Sequence, residues 1–328
     1  MHVEQRPSVS VVIPTWRRAR MLMQCLSALL DQTLPAERYE IIVCDDDADE
    51  NVHSLIDRLA AFEGSTPMLR YLPVTETQGP AGARNVGWRA ARAPIVAFTD
   101  DDTLPDPMWL QRGLQAMDAD VDALCGRIIM PLPEKLTDLE RDASGLQDAE
   151  FVTANCFVRR KALLAVGGFD ERYTQAWRED SDLHFALLKH GCHIKRTDQA
   201  VVIHPLRPAP FAAGLRMQRK AMFDALLYRK HRAHYRQYVR KPLPWLYLLI
   251  TLTLLVAVIS AIAGQPTLAI GASGVWLILT ISLFFYRLRG TILSIRNITE
   301  LLVTSALNPL LSIFWRTVGH IRFRGVSS

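Results

Sequence analysis

Two runs of three carboxylates, Asp45-Asp46-Asp47 and Asp100-Asp101-Asp102, each directly follow an apolar segment. Three adjacent acids repel one another unless cations or hydrogen-bond donors meet them. The segment before the second run, residues 93–98, reads as a buried strand. Hard oxygen ligands at the carboxyl end of a strand suit Mg²⁺ or Mn²⁺, and such a cation suits a diphosphate-bearing substrate. A solvated Asp-rich turn is the competing reading for either run alone.

The elements around these acids favour the first reading. Residues 9–13 form a β-rich run ended by Pro14, and residues 20–30 carry apolar side chains at helical spacing (Met21, Leu22, Cys25, Leu26, Leu29, Leu30). Residues 39–44 read as a second strand, a helix follows Asn51 through Leu59, and a short strand covers residues 68–72. Alternation of this kind predicts a parallel α/β sheet, in which ligands bind beyond the carboxyl ends of the strands. Both acidic runs would then face one crevice. Between them, Gly79-Pro80-Ala81-Gly82-Ala83-Arg84 predicts a turn opening a small-residue helix, whose free amides and Arg84 could face a phosphate. An ordinary Ala-rich helix is the alternative. Residues 105–110 predict a further helix with proline in its first turn.

Composition separates the chain into a soluble part and a membrane part. Of 328 residues 49% are hydrophobic, and the formal charge is +5, but the apolar residues concentrate from Leu243 onward. The five cysteines (Cys25, Cys44, Cys125, Cys156, Cys192) have no Cys-x-x-Cys spacing, which favours buried reduced thiols. Residues 9–13 are too short for a signal sequence, so the N-terminal part is expected in the cytosol. Residues 243–263 and 268–286 are each about the length of a bilayer-spanning helix. Arg240-Lys241 and Arg287/Arg289 flank their outer ends, the turn Gly264-Gln265-Pro266 is uncharged, and the positive-inside rule predicts a hairpin with both ends in the cytosol. Basic residues with interleaved tyrosines at 216–241 also fit a nucleic-acid surface, a reading the apolar stretches overrule. Residues 301–315 are apolar but hold Asn308-Pro309, and a helix lying in or re-entering the interface is expected there.

The ordered series Val9-Ser10-Val11-Val12-Ile13-Pro14-Thr15, Ile42-Val43-Cys44-Asp45-Asp46, Gly79-Pro80-Ala81-Gly82-Ala83-Arg84-Asn85 and Phe98-Thr99-Asp100-Asp101-Asp102 resembles the family 2 glycosyltransferases. Gly167-Gly168-Phe169-Asp170-Glu171, followed by Trp177-Arg178-Glu179-Asp180-Ser181-Asp182, is similar to that family's acceptor-side loop and Glu-Asp motif. The resemblance covers roughly residues 9–204. It implies a GT-A nucleotide-binding α/β domain with a mostly parallel central sheet, followed here by a C-terminal transmembrane helical hairpin. The limits expected for this chain are 1–235 for the catalytic domain, 236–290 for a basic juxtamembrane helix and two transmembrane helices, and 291–328 for the tail.

By the same resemblance, Asp46 would bind the nucleobase with Asp45 beside it and Pro14 and Thr15 shaping the pocket. Asp100 would lie near the ribose, and Asp102, with Asp101, would hold the cation. Asp47 stands where relatives often carry glycine. Asp180 is the expected base, because it opens a helix whose N-terminus keeps a carboxylate ionised; an N-cap role for Asp180 or Ser181 is the alternative. Glu179 joins the donor-side set. His204, after the strand-like residues 200–203, is a candidate further metal ligand or a structural histidine. Arg216 and Arg219 lie where processive polymerases carry a Gln/Arg-x-x-Arg-Trp motif, with Lys220 in place of the tryptophan. They would contact diphosphate or form a basic face near lipid. The expected activity is a metal-dependent inverting sugar transfer from a nucleotide-diphosphate donor to a lipid or lipid-linked acceptor at the cytosolic face of the plasma membrane. A processive polysaccharide synthase and a silent membrane scaffold are the rival readings.

Overall fold

A computed structural model of the chain describes residues 6–61, 67–239 and 245–326. It divides into two compact units, residues 1–131 with 145–205, and residues 132–144 with 206–328.

The first unit is a mixed α/β sheet with helices on its faces. Its strands are β1 (Val9–Thr15), β2 (Tyr39–Asp45), β3 (Met68–Pro73), β4 (Ile95–Thr99), β5 (Leu104–Pro105), β6 (Ala123–Ile129), β7 (Asn155–Arg159) and β8 (Ile194–Ile203), in the order β3-β2-β1-β4-β7-β6-β8-β5. The helices in chain order are α1 (Ala19–Leu30), α2 (Glu50–Ala60), α3 (Pro80–Ala90), α4 (Trp109–Ala116), α5 (Asp138–Ser144, within the second unit), α6 (Arg160–Val166) and α7 (Glu179–Lys189). Pairings β1–β2, β1–β4, β2–β3 and β6–β8 are parallel, whereas β4–β7, β6–β7 and β5–β8 are antiparallel. Every residue of β1, β2 and β4 is buried, as expected of strands covered on both faces. Leu22, Cys25, Leu26 and Leu29 of α1 close one side of that core, and truncating a buried leucine here should cost about 2–5 kcal/mol.

Two features of the sheet deliver the site. β7 runs antiparallel to β4 with Asn155 opposite Thr99, so β7 begins where β4 ends and residues 153–155 share the edge that carries the acids. β8 ends with Ile203 opposite Ile129 and Leu104, and the His204 amide donates to the Ile129 carbonyl at 2.9 Å. α3 lies almost on the strands beneath it: a Cβ at Gly87 would strike Val12 and come within 2.8 Å of the Cys44 sulfur. Glycine there lets the turn bearing Arg84 approach the sheet. The helix expected from residue 105 begins instead at Trp109, because Leu104 and Pro105 are taken into pairing with β8.

The second unit contains α5, α8 (Ala213–Met217), α9 (Met222–Lys230), α10 (Arg232–His234), α11 (Trp245–Ile262), α12 (Pro266–Leu288) and α13 (Ile295–Arg322). α11 and α12 are the expected pair of apolar helices; Arg240 and Lys241 lie outside the described residues. α13 is one continuous helix through Pro309, long and apolar enough to cross a membrane, which makes three such helices among the described residues. Ile259, Ile262, Ile270, Ile278 and Phe285 are exposed on α11 and α12, a surface suited to lipid. Within this unit the Arg287 guanidinium donates to Asp138 of α5 at 2.6 Å and to the Thr304 hydroxyl of α13 at 3.0 Å. The break between units falls at residue 205, ahead of 235. α9 packs so closely on α13 that a Cβ at Gly319 would meet the Met222 backbone.

Candidate functional site

The carboxyl ends of β1, β2 and β4, the first residues of β7 and the end of β8 meet at one edge of the sheet. Asp100, Asp102 and His204 bring one ligand atom each to within 4.8 Å of one another, and His204 Nε2 lies 3.8 Å from Asp102 Oδ1. Two carboxylates and an imidazole at this spacing are a donor set that fits Mg²⁺ or Mn²⁺. Asp101 has a different place. It is 2% exposed and accepts from the Thr15 hydroxyl at 2.9 Å and from Arg18 at 3.1 Å, so it faces inward and braces the end of β1. The expectation that Asp101 shares in holding the cation or donor is corrected accordingly, and Thr15 is likewise engaged with Asp101. Pro14 is buried in β1.

The other acidic run also splits by side chain. Asp45 is fully buried, accepting from the Asp47 amide at 3.1 Å, the Asp49 amide at 2.9 Å and the Tyr71 hydroxyl at 3.1 Å. It ties the turn after β2 rather than facing a ligand, a second correction. Asp46 accepts from the Gly79 amide at 2.7 Å through Oδ2, while its buried Oδ1 has no hydrogen-bond partner among the described residues. Burial pushes the Asp46 carboxyl up, against the pull of the Gly79 amide. Asp46 therefore joins the β2 turn to the start of α3, where Gly79 sits at φ +99° and a Cβ would come within 2.6 Å of the Thr174 carbonyl. Asp47 is paired with Arg17 at 2.8 Å on the surface.

Arg84 does not face open space for a phosphate. Its guanidinium is 3% exposed and donates to Asp100 at 2.7 Å and to Glu179 at 3.3 Å. Burial pulls its pKa down, but Asp100, Asp180 and Glu179 outweigh that and raise it, so one buried cation serves three acids. Glu179 and Asp180 form the first turn of α7, whose N-cap is Arg178 in the left-handed region (φ 74°) with no side-chain capping bond. The capping alternative for Asp180 and Ser181 is thereby removed. Asp180 instead accepts from the Thr153 hydroxyl at 2.6 Å and from the Thr153 amide at 3.3 Å. Burial raises the pKa of Asp180 and of Glu179, opposed at both by Arg84 and, at Asp180, by Thr153. A carboxylate so placed holds a proton more readily than an exposed one, as a general base requires.

Three supporting residues were not singled out from the sequence for these roles. Thr153 fixes both oxygens of Asp180. Arg18 meets Asp101. Asn85 receives hydrogen bonds from Trp88 Nε1 (2.7 Å) and the Phe169 amide (2.9 Å) and donates to the Phe169 carbonyl (2.8 Å) and Glu171 (2.6 Å), locking residues 168–171 onto α3. The motif Ala83-Arg84-Asn85 was the available signal for Asn85; Thr153, in a connection without periodicity, offered none. Arg216 and Arg219 lie in the second unit, where Arg219 stacks over the Trp315 ring at 5.6 Å.

The family model described as Glycosyl transferase family 2 matches residues 10–167, and that described as Glycosyl transferase family group 2 matches residues 95–289. Glycosyltransferase AglE of Haloferax volcanii is 29% identical over 214 residues, covering 62% of this chain and 68% of AglE. The UDP-Glc:alpha-D-GlcNAc-diphosphoundecaprenol beta-1,3-glucosyltransferase WfgD of Escherichia coli is 29% identical over 107 residues, 33% of this chain and 38% of WfgD. The chain spans from 35% to 68% of the length of the first curated relatives it matches. Among solved structures, the mannosyltransferase PcManGT from Pyrobaculum calidifontis, in complex with GDP-Man and Mn²⁺, superposes with a TM-score of 0.54 at 19% identity. That alignment covers 96% of this chain and 84% of PcManGT, and it speaks to the fold.

Proposed function

Since the chain belongs to the family 2 glycosyltransferases and has their GT-A fold, we propose that it transfers a sugar from a nucleotide-diphosphate donor to a hydroxyl of a lipid-linked acceptor, with inversion. The observation that carries this reading is the meeting of a cation-competent trio, Asp100, Asp102 and His204, with a separately held carboxylate, Asp180, at one sheet edge. A divalent cation on that trio would neutralise the negative charge that develops on the departing diphosphate. Asp46, with its unpartnered buried Oδ1, is suited to accept a hydrogen bond from the nucleobase. Asp180 takes the proton of the acceptor hydroxyl as its oxygen attacks the anomeric carbon and the bond to the diphosphate breaks. Thr153 holds Asp180 in place, and Arg84 steadies the ionised forms of Asp100, Glu179 and Asp180.

The acceptor class is supported by the three helices able to cross a membrane and by the lipid-diphosphate acceptor named for WfgD. Charge at Arg287 and Arg289, against an uncharged turn between α11 and α12, supports a cytosolic catalytic unit at the inner membrane. The test is transfer by the full-length protein in lipid, with a panel of nucleotide-sugars and polyprenyl-phosphate-linked acceptors, read by NMR of the product anomeric proton. An anomeric configuration opposite to the donor's and dependence on a divalent cation support the proposal. Retained configuration, or transfer only to soluble acceptors, contradicts it.

A further inference from the structure

The opposite edge of the same sheet carries a feature that sugar transfer does not use. Ser8 precedes β1, Arg92 precedes β4, and antiparallel β7 brings Arg159 and then α6, with Arg160 and Lys161, to that same end. These residues and Arg6 line a cleft of about 670 Å³ that contains five cationic side chains and no carboxylate. β1 has seven residues, so at roughly 3.3 Å per residue the cleft lies about 20 Å from the acidic edge.

Two of the five cations are spent within the fold. The Arg159 guanidinium donates to the Val121 carbonyl at 2.7 Å and to the Asp118 carbonyl at 2.7 Å, and Lys161 pairs with Asp122 at 3.3 Å. The other three are not. Among the described residues no carboxylate meets Arg6, Arg92 or Arg160; Arg92 Nη1 contacts the Met68 sulfur at 3.2 Å. Arg160 Nε is buried and has no hydrogen-bond partner among the described residues, although leaving a buried donor unpaired is costly. A solvated basic face normally leaves its guanidinium groups in water or pairs them on the surface. Here Arg160, whose Nε is buried without a partner, lines a concave site together with Arg6 and Arg92, and grouped guanidinium groups without carboxylate partners suit multidentate recognition of a phosphate.

We infer that this cleft is a second anion site, binding a phosphate group through Arg6, Arg92 and Arg160 independently of the donor site. The phosphate belongs either to a soluble ester or to an anionic lipid headgroup, and the chemistry of recognition is shared.

The probe is inorganic pyrophosphate, titrated calorimetrically into full-length protein in detergent at constant ionic strength with chelator present. Binding should persist in Asp102→Asn and weaken at least tenfold in a variant carrying Arg6→Gln, Arg92→Gln and Arg160→Gln. Should that triple variant not fold, Arg92→Glu alone reverses an exposed charge and should show the same direction. In a second arm, native mass spectrometry follows retention of phosphatidylglycerol against phosphatidylcholine. Phosphatidylglycerol retained by the unmodified protein and lost from the triple variant assigns the phosphate to lipid; pyrophosphate binding without such retention assigns it to a soluble ester. Pyrophosphate binding lost in Asp102→Asn, or binding of both probes indifferent to the three arginines, overturns the inference.

Discussion

Replacing Arg84 by glutamine removes the one buried cation between Asp100, Glu179 and Asp180 while keeping a polar, uncharged side chain. Removing one partner of a buried ion pair costs about 3–5 kcal/mol, because the remaining charges stay desolvated and uncompensated. At about 2–4 °C per kcal/mol for a unit of this size, the midpoint of thermal unfolding should fall by roughly 6–20 °C. The pH dependence separates this account from simple loss of packing. Burial already raises the pKa of Glu179 and Asp180, and Arg84 opposes that rise at both. A carboxyl whose folded pKa exceeds its unfolded value contributes stability that is complete below the unfolded pKa and is lost as pH rises through the folded one. Without Arg84 both folded values climb further. The deficit of the variant should therefore be larger at pH 8 than at pH 5. In the same variant the acidic limb of the pH–rate profile should move to higher pH, since the base must be ionised to act. Arg84→Lys, which keeps the charge and loses the fork, should recover much of that shift. A deficit below about 1 kcal/mol with an unmoved acidic limb would mean that Arg84 does not hold these acids in their ionised form.

Thr153→Val removes a 2.6 Å hydrogen bond to the Asp180 carboxylate, worth about 1.5–3 kcal/mol. It should lower kcat about 10–100-fold in steady-state assays and shift the acidic limb upward, because Thr153 holds the Asp180 pKa down. Asn85→Ala leaves the Phe169 amide and carbonyl and the Trp88 N–H without their partner, and chemical denaturation should report a loss of about 3 kcal/mol. Asp47→Ala removes surface contacts with Arg17 and Trp16, and both the thermal midpoint and kcat/KM should stay near the values of the unmodified protein, within about 0.5 kcal/mol.

How far the sequence carries depends on which forces are local. Strands β1, β2 and β4 announce themselves because burial on both faces leaves a continuous apolar run, and each acidic run marks where such a run meets the crevice. The division of labour within each run was not legible. Asp45 and Asp101 turn inward because Tyr71, Thr15 and Arg18, distant in the chain, supply donors there, while Asp46 keeps one buried oxygen without a partner among the described residues and Asp102 stands beside Asp100 and His204. Arg84 reads as a phosphate contact when its partners Asp100 and Glu179 are not yet in view, and the latter is set by a pairing across 95 residues. Thr153 reaches Asp180 only because β7 runs against β4, a topological fact without a periodic signature. α13 runs unbroken through Asn308-Pro309 from Ile295 to Arg322, against the re-entrant form of the expectation for residues 301–315. Asn308 and Pro309 are both buried within the second unit, where packing can support an interrupted hydrogen-bond ladder.

Asp180→Asn decides whether Asp180 is the base of a cation-assisted transfer at the acidic edge. Full-length protein and variant would be compared for donor binding by calorimetry and for turnover on a panel of nucleotide-sugars, with Mn²⁺ and with chelator. One donor should be consumed only with the cation, and the variant should bind it with unchanged affinity while losing about 10²–10⁴-fold in rate. Undiminished turnover in the variant, or turnover in chelator, would contradict it.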